Sequence, residues 1–109
     1  MCRGAGLRAR IRVGDLPLLP GALDLAREGF VTGASRRNLE SYGADVSFAP
    51  AIDDAARALL TDPQTSGGLL VACAREAVPD VLAIFREQHF TEACVVGDFG
   101  EGAPHIDVG

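Results

Sequence analysis

The chain has 109 residues, 48% of them hydrophobic, and a net charge of -5. This length supports one domain with one core, and no apolar tract is long enough to cross a bilayer. The acidic balance disfavours a nucleic-acid partner, because phosphate contacts need a basic surface. The N-terminus is arginine-rich and lacks the apolar core of a signal peptide, so we expect a cytoplasmic protein without a membrane partner.

The cysteines and basic residues limit the kinds of metal site and catalytic mechanism that this chain can have. The three cysteines (Cys2, Cys73 and Cys94) are widely spaced, which fits neither a disulfide framework nor a CxxC metal pair. Cys73 and Cys94 lie in apolar runs, so we expect both to be small buried side chains in a reducing compartment. All 10 basic residues are arginine. A P-loop or Schiff-base mechanism run by this chain alone is therefore excluded, because both need lysine.

The N-terminal part predicts a strand and a helix. Residues 2–6 resemble a last helical turn with a glycine stop. Residues 7–13 alternate apolar residues with arginines, which predicts a strand with one buried face. The arginine stripe either faces solvent or another domain, or it binds phosphate. Residues 19–29 have amphipathic-helix spacing and end at a glycine.

The next segment concentrates polar residues. A loop leads to a short helix for which Ser35 is a plausible N-cap. The first turn of this helix carries Arg36, Arg37 and Asn38. These residues form either an exposed helix start or a contact for an anionic substrate, which a helix N-terminus favours. Both interpretations stay open, although two arginines at this end work against the helix dipole.

The remaining elements alternate strands and helices. The residues predict a short strand over 45–49, a helix from an Asp53 cap to Leu60, and a buried strand over 69–73. Further predictions are a helix over 75–89, an apolar strand over 93–96 and an edge-like strand over 105–108. This order predicts an α/β sandwich with helices packed on a mixed sheet.

Residues 62–68, which we call the elbow, have the sequence Asp-Pro-Gln-Thr-Ser-Gly-Gly. Asp62-Pro63 ends the preceding helix, because proline bars helical geometry to the residue before it. Gln64, Thr65 and Ser66 add an amide and two hydroxyls, and the two glycines add exposed N–H groups. This set can cradle a phosphate without side-chain charge. The alternative is a tight helix-to-strand turn, in which both hydroxyls bond local backbone groups.

No catalytic constellation is visible in the sequence. GxGxxG, GxSxG and HExxH are absent, and neither histidine has a partner at metal-ligand spacing. However, residues 62–72 resemble the signature of selenophosphate synthetase, also called selenide, water dikinase. Residues 16–22 resemble the connection after the first strand of this region in that family, and residues 33–39 its glycine-then-arginine-asparagine segment. The resemblance covers nearly all of residues 6–109. Thiamine monophosphate kinase, a sibling family, fits the Pro-Gln-Thr-Ser-Gly-Gly run less well.

The resemblance implies an α/β (α+β) sandwich like the C-terminal domain of the aminoimidazole ribonucleotide synthetase superfamily. The family makes selenophosphate, the selenium donor for selenocysteine biosynthesis, from selenide and ATP with Mg²⁺, and it releases AMP and phosphate. Its N-terminal ATP-binding domain forms a homodimer, and the C-terminal domain closes over it. Residues 1–109 would then be a single, incomplete C-terminal domain.

The resemblance also implies that the chemistry lies outside this chain. In the family, the catalytic cysteine or selenocysteine, the lysine and the metal-binding aspartates belong to segments with no match here. We therefore expect this chain alone to hold no catalytic or metal-binding residue, to bind neither ATP nor Mg²⁺, and to be inactive. The alternative is a stand-alone, non-catalytic module of the same fold that binds a phosphorylated ligand or a partner. The residues expected to face substrate or phosphate are Gln64, Thr65, Ser66, Gly67, Gly68, Arg37 and Asn38.

Overall fold

The computed structural model describes residues 1–109 and contains one four-stranded mixed sheet. Its strands are β1 (Arg8–Ile11), β2 (Val46–Phe48), β3 (Gly97–Gly100) and β4 (His105–Val108), in the spatial order β2-β4-β1-β3. β4 runs parallel to both β1 and β2, whereas β3 is antiparallel to β1. A mixed sheet with packed helices is the predicted fold class, which is confirmed.

Five α-helices accompany the sheet. α4 packs against both α2 and α3. α1 ends at Gly6, whose left-handed backbone (φ 68°) is the predicted glycine stop. None of the helices has the length and apolar character needed to span a membrane. The helices are α1 (Cys2–Ala5), α2 (Ala22–Arg27), α3 (Gly33–Tyr42), α4 (Asp54–Leu60) and α5 (Val78–Glu87).

The sheet has one apolar and one polar face, because side chains alternate along each strand. Ala9 and Ile11 on β1 are in register with Ile106 and Val108 on β4. Ala9 and Val108 are 5% and 6% exposed, so the central strand pair forms part of the small buried core. On β2, Val46 and Phe48 extend the same row.

The polar face carries the arginine stripe, and carboxylates neutralise much of it. Arg8 Nη2 donates to Asp107 Oδ1 at 2.7 Å, and Arg12 Nε donates to Asp15 Oδ2 at 2.5 Å. Arg12 Nη1 also donates to Asp98 Oδ2 at 3.2 Å. These hydrogen bonds raise the pKa of both arginines, and the bond from Arg8 lowers the pKa of Asp107. The pairing favours the solvent-facing or inter-domain interpretation over phosphate binding.

The predicted buried strand over residues 69–73 is wrong. These residues form no strand, and every residue from 63 to 76 is exposed. Leu69 is 83% exposed, and no backbone group from 69 to 73 has a hydrogen-bond partner within the chain. Cys73 and Cys94 are also exposed, contrary to the prediction. An apolar run predicts burial only when another surface covers it, and this chain supplies too little for this run.

Two predicted strands are present but are placed differently in the structure. The strand expected over 93–96 lies instead at Gly97–Gly100, where Gly97 allows close approach to β1. The last strand is not at an edge, because β4 lies between β2 and β1. Because the order of strands in the sheet differs from their order along the chain, the last strand in the sequence need not lie at an edge of the sheet.

The predicted Asp53 cap of α4 is confirmed. One oxygen of Asp53, Oδ1, accepts a hydrogen bond from the backbone N–H of Ala56 at 2.8 Å. This bond is the main cause of a lowered pKa for Asp53. A lowered folded-state pKa adds stability above the unfolded value of about 3.9, and this stability is lost as the pH falls through the folded pKa.

We expect Asp53→Asn to stay close to the melting temperature of the parent chain at neutral pH. Asparagine is an equally good N-cap, and the exposed ion pair of Arg27 with Asp53, which asparagine loses, contributes little. Asp53→Ala should melt at a lower temperature, because the first turn of α4 loses its acceptor. In acid, the parent should lose stability relative to Asp53→Asn, whose amide does not titrate. Thermal melts across the acid range check this, and equal neutral-pH losses in both variants would contradict the capping role.

Candidate functional site

The elbow follows α4 and is fixed to the N-terminus of α3 by the carboxylate of Asp62. Oδ1 of Asp62 accepts hydrogen bonds from Thr32 Oγ1 at 3.0 Å and from Ser35 Oγ at 3.2 Å. Oδ2 accepts a third bond, from Gln64 Nε2 at 2.6 Å. One carboxylate therefore connects α3, the end of α4 and the elbow.

The first turn of α3 is built to receive this carboxylate. Thr32, not Ser35, is the N-cap, and its Oγ1 accepts from the backbone N–H of Ser35 at 3.2 Å. Ser35 lies inside the helix, is 3% exposed and turns its hydroxyl toward Asp62. A carboxylate at this position is stabilised by the partial positive charge of a helix N-terminus. The Ser35 cap prediction is therefore wrong by three residues.

We expect Ser35→Ala to lower the free energy of unfolding by about 1–2 kcal/mol, because it removes a buried donor to a carboxylate. Ser41 is a matched control on the same helix, since it is exposed and its hydroxyl makes no hydrogen bond. Ser41→Ala should be neutral or slightly stabilising, because alanine is the better helix former. Urea denaturation of both variants checks this, and indistinguishable midpoints would contradict the role of Ser35.

The elbow itself is a tight turn. The backbone N–H of Gly67 donates to the carbonyl of Gln64 at 3.3 Å. A Cβ on Gly67 would lie 2.7 Å from the Cβ of Gln64, so the turn requires glycine at this position. The expectation of two free glycine N–H groups is corrected: Gly67 uses its N–H in the turn, whereas Gly68 makes no hydrogen bond within the chain.

The hydroxyls of the elbow are also unpaired. The Thr65 and Ser66 side chains are exposed and make no hydrogen bond within the chain. The alternative interpretation required both hydroxyls to satisfy local backbone groups, and they do not. The elbow therefore presents two hydroxyls and the Gly68 N–H to the outside, a neutral donor set of the type that holds an anion.

Of the two α3 residues that were predicted to face phosphate, Asn38 lies next to the elbow and Arg37 makes no hydrogen bond with it. Nδ2 of Asn38 donates to the carbonyl of Thr61 at 2.8 Å, so Asn38 contacts the end of α4 next to the elbow. Arg37 is exposed, makes no hydrogen bond, and lies over the first turn of α3 near Gly33. Asn38 therefore fixes the residue that precedes the elbow, whereas no hydrogen bond joins Arg37 to the elbow.

A groove of about 480 Å³ lies beside the Asp62 cluster and opens to solvent. Its lining is mostly apolar and includes Tyr42 and Leu60, with Asn38 and Asp62 at its polar end. None of residues 64–68 lines it. Of the residues predicted to face phosphate, only Asn38 lines this groove, and the elbow residues 64–68 lie outside it.

One serine–histidine pair, which the sequence did not predict, lies on the polar face of the sheet. Ser47 Oγ is 2.8 Å from His105 Nε2. The nearby carboxylate of Asp107 is bonded to Arg8, so the imidazole has no carboxylate that orients it as a base. The pair connects neighbouring strands β2 and β4, which agrees with a structural role for His105.

Comparison with known proteins identifies the family. Residues 1–106 match the model for "AIR synthase related protein, C-terminal domain". The chain belongs to this family. The AIR synthase C-terminal domain is the fold that the resemblance implied, and the match covers both the elbow and the Asp62 cluster.

Individual relatives of this AIR synthase C-terminal domain share one name. The chain is 55% identical over 108 residues to a selenide, water dikinase from Burkholderia pseudomallei. It is 52% identical over 109 residues to one from Pseudomonas straminea and 50% identical over 108 residues to one from Paraburkholderia xenovorans. These alignments cover 99–100% of this chain but only 30% of each relative. The predicted resemblance is therefore confirmed, and it concerns less than a third of the relatives' length.

Proposed function

We propose that this chain supplies the C-terminal domain of a selenide, water dikinase that makes selenophosphate from selenide and ATP and releases AMP and phosphate. The observation that carries the proposal is the identity of 50–55% to proteins of that name across 99–100% of the chain. Residues 1–109 would be a single, incomplete domain that closes on an ATP-binding domain. The whole enzyme would be a cytoplasmic homodimer that uses ATP and Mg²⁺.

The elbow is the part of this domain that we assign to phosphate handling. Its free hydroxyls on Thr65 and Ser66 and the free N–H of Gly68 support this role. They can donate to phosphate oxygens without competing intramolecular bonds. Gln64 is already bonded to Asp62, so its amide oxygen, rather than its N–H pair, is the freer group.

The carboxylates of this chain form no cluster that would hold Mg²⁺ without ligands from elsewhere. No three His, Cys, Asp or Glu side chains come together. Asp62 is the only carboxylate within the elbow, and its two oxygens already accept three hydrogen bonds. In the proposed reaction, this chain therefore contributes shape and hydrogen-bond donors, and the metal is assigned to none of its carboxylates.

The exposed apolar run after the elbow supports a partner domain. Leu69 and Leu70 are 83% and 63% exposed, and Val71 is 49% exposed. Consecutive exposed apolar residues typically mark an interaction surface. Such a surface is expected where one domain of a larger enzyme packs on another, and it is unexpected in a stand-alone module.

A chimeric enzyme tests the proposal. In the Burkholderia pseudomallei relative, the segment that this chain matches is replaced by residues 1–109. We expect the chimera to form AMP from ATP in a selenide-dependent reaction, at a rate within about tenfold of the native enzyme, because domain positioning is retained. The isolated chain should form none. A folded chimera that binds ATP but forms no AMP would contradict the proposal.

The same proteins distinguish the alternative function. A stand-alone module would bind inorganic phosphate as an isolated chain, with the Thr65, Ser66 and Gly68 amides shifting in NMR titrations. Phosphate binding by the isolated chain together with an inactive chimera would favour that alternative. An active chimera would exclude a purely non-catalytic role.

A further inference from the structure

We infer that Asp62 is a positioning residue of the enzyme, and that it holds the elbow at a fixed place relative to α3. This inference rests on the proposed function, and it concerns a residue outside the predicted phosphate-facing set. In the sequence, Asp62 only marks the end of a helix. In the structure, it is the centre of a hydrogen-bonded cluster and contacts Thr32, which lies 30 residues away in the sequence.

The elbow has almost no other attachment. Between residues 63 and 73, the only hydrogen bonds within the chain are the bond from Gln64 to Asp62 and the turn bond from Gly67 to Gln64. All residues in this segment are exposed, so packing adds little restraint. The position of Thr65, Ser66 and the glycines therefore depends on the path from Asp62 through Gln64.

The other side of the cluster is buried and helical. Ser35 is 3% exposed, lies within the 10-residue helix α3, and donates to Asp62 Oδ1 at 3.2 Å. Thr32 donates to the same oxygen while it caps the helix. A buried helical anchor on one side and an exposed turn with few other contacts on the other is the arrangement expected of a residue that acts through its neighbours.

Two substitutions distinguish the role of the hydrogen bonds of Asp62 from the role of its negative charge. Asp62→Asn removes the charge but retains Oδ1, the acceptor for Thr32 and Ser35. Its Nδ2 replaces Oδ2 and can donate to Oε1 of Gln64 once that amide turns over, so the link to the elbow is also kept. Asp62→Ala removes all three bonds. Asp24→Ala is the matched control, because the exposed carboxylate of Asp24 lies 3.7 Å from Arg27 and has no other partner.

In the chimera, we expect Asp62→Ala to lower kcat by about 10- to 100-fold, since misplaced groups lose most of their catalytic benefit. The KM for ATP should change little, because the nucleotide is held by the other domain. Asp62→Asn should recover most of the lost kcat, and Asp24→Ala should match the parent. A kcat for Asp62→Ala within twofold of the parent, or an Asp62→Asn variant as impaired as Asp62→Ala, would overturn the inference.

A second measurement separates this inference from the proposed function. In the isolated chain, ¹⁵N relaxation should report amide order parameters for residues 65–68 that fall below about 0.6 in Asp62→Ala and stay higher in the parent and in Asp62→Asn. This result does not depend on the activity of the chimera. An inactive chimera would reject only the proposed function. Unchanged order parameters in Asp62→Ala would overturn the positioning role itself.

Discussion

Gly67→Ala is expected to lower kcat/KM of the chimeric enzyme by about 100-fold, because it displaces the groups that the elbow presents. The new Cβ would lie 2.7 Å from the Cβ of Gln64 and 3.3 Å from its carbonyl oxygen. Neither atom is the free end of a flexible side chain, so the turn itself must open. Thr65 and Ser66 lie inside this turn and move with it.

Gly68→Ala is the matched control for this prediction. A Cβ at Gly68 meets no atom within 4 Å, and its backbone is not in the left-handed region. The turn should therefore persist, and the loss of activity should stay below about tenfold. Steady-state AMP formation at varied ATP checks both variants, with thermal melts to confirm that each is folded. Equal losses of kcat/KM in the two variants would mean that the geometry of the turn does not determine the activity.

The largest effect on stability is expected from Gly97→Ala. A Cβ at Gly97 would lie 2.2 Å from the backbone oxygen of Arg10 and 3.1 Å from Cδ1 of Ile11. Neither backbone can yield without breaking the pairing of β3 with β1. We expect a loss of about 3 kcal/mol or more, at the upper end of overpacking costs and a large part of the stability of a small domain.

Gly100→Ala tests the same strand without the clash. A Cβ at Gly100 meets nothing within 4 Å. Its cost should stay within about 0.5 kcal/mol, which is typical of a surface change. Urea denaturation of the isolated variants gives both values. A Gly97→Ala variant as stable as Gly100→Ala would contradict the close approach of β3 and β1.

Local patterns predicted the elements whose causes are local. The alternation around Ala9 predicted β1, and the Asp53 cap predicted the start of α4, because both depend on neighbours along the chain. The apolar run at Leu69 was misjudged for the opposite reason. Its burial depends on a covering surface that the run itself does not specify.

In the candidate site too, features with local causes were predicted and features that depend on distant contacts were not. The composition of the elbow predicted a polar turn with unpaired donors, and Thr65, Ser66 and Gly68 are such donors. The Asp62 cluster was not predicted, because its partners Thr32 and Ser35 lie 30 and 27 residues away in the sequence. Such contacts arise only from the packing of α3 on α4. A Thr-x-x-Ser pair opening a helix was the available signal, but the cap was predicted at Ser35 instead of Thr32, so Ser35 was not recognised as a partner of Asp62.

Hydrogen exchange at the elbow of the chimera tests the central claim most directly. Residues 65–68 are exposed in this domain, and we propose that they lie against the nucleotide phosphates in the whole enzyme. Adding a non-hydrolysable ATP analogue with Mg²⁺ should slow their exchange, together with that of the ATP-binding domain. Slowed exchange in the ATP-binding domain with no change at residues 65–68 would contradict the assignment of the elbow to the phosphate cleft.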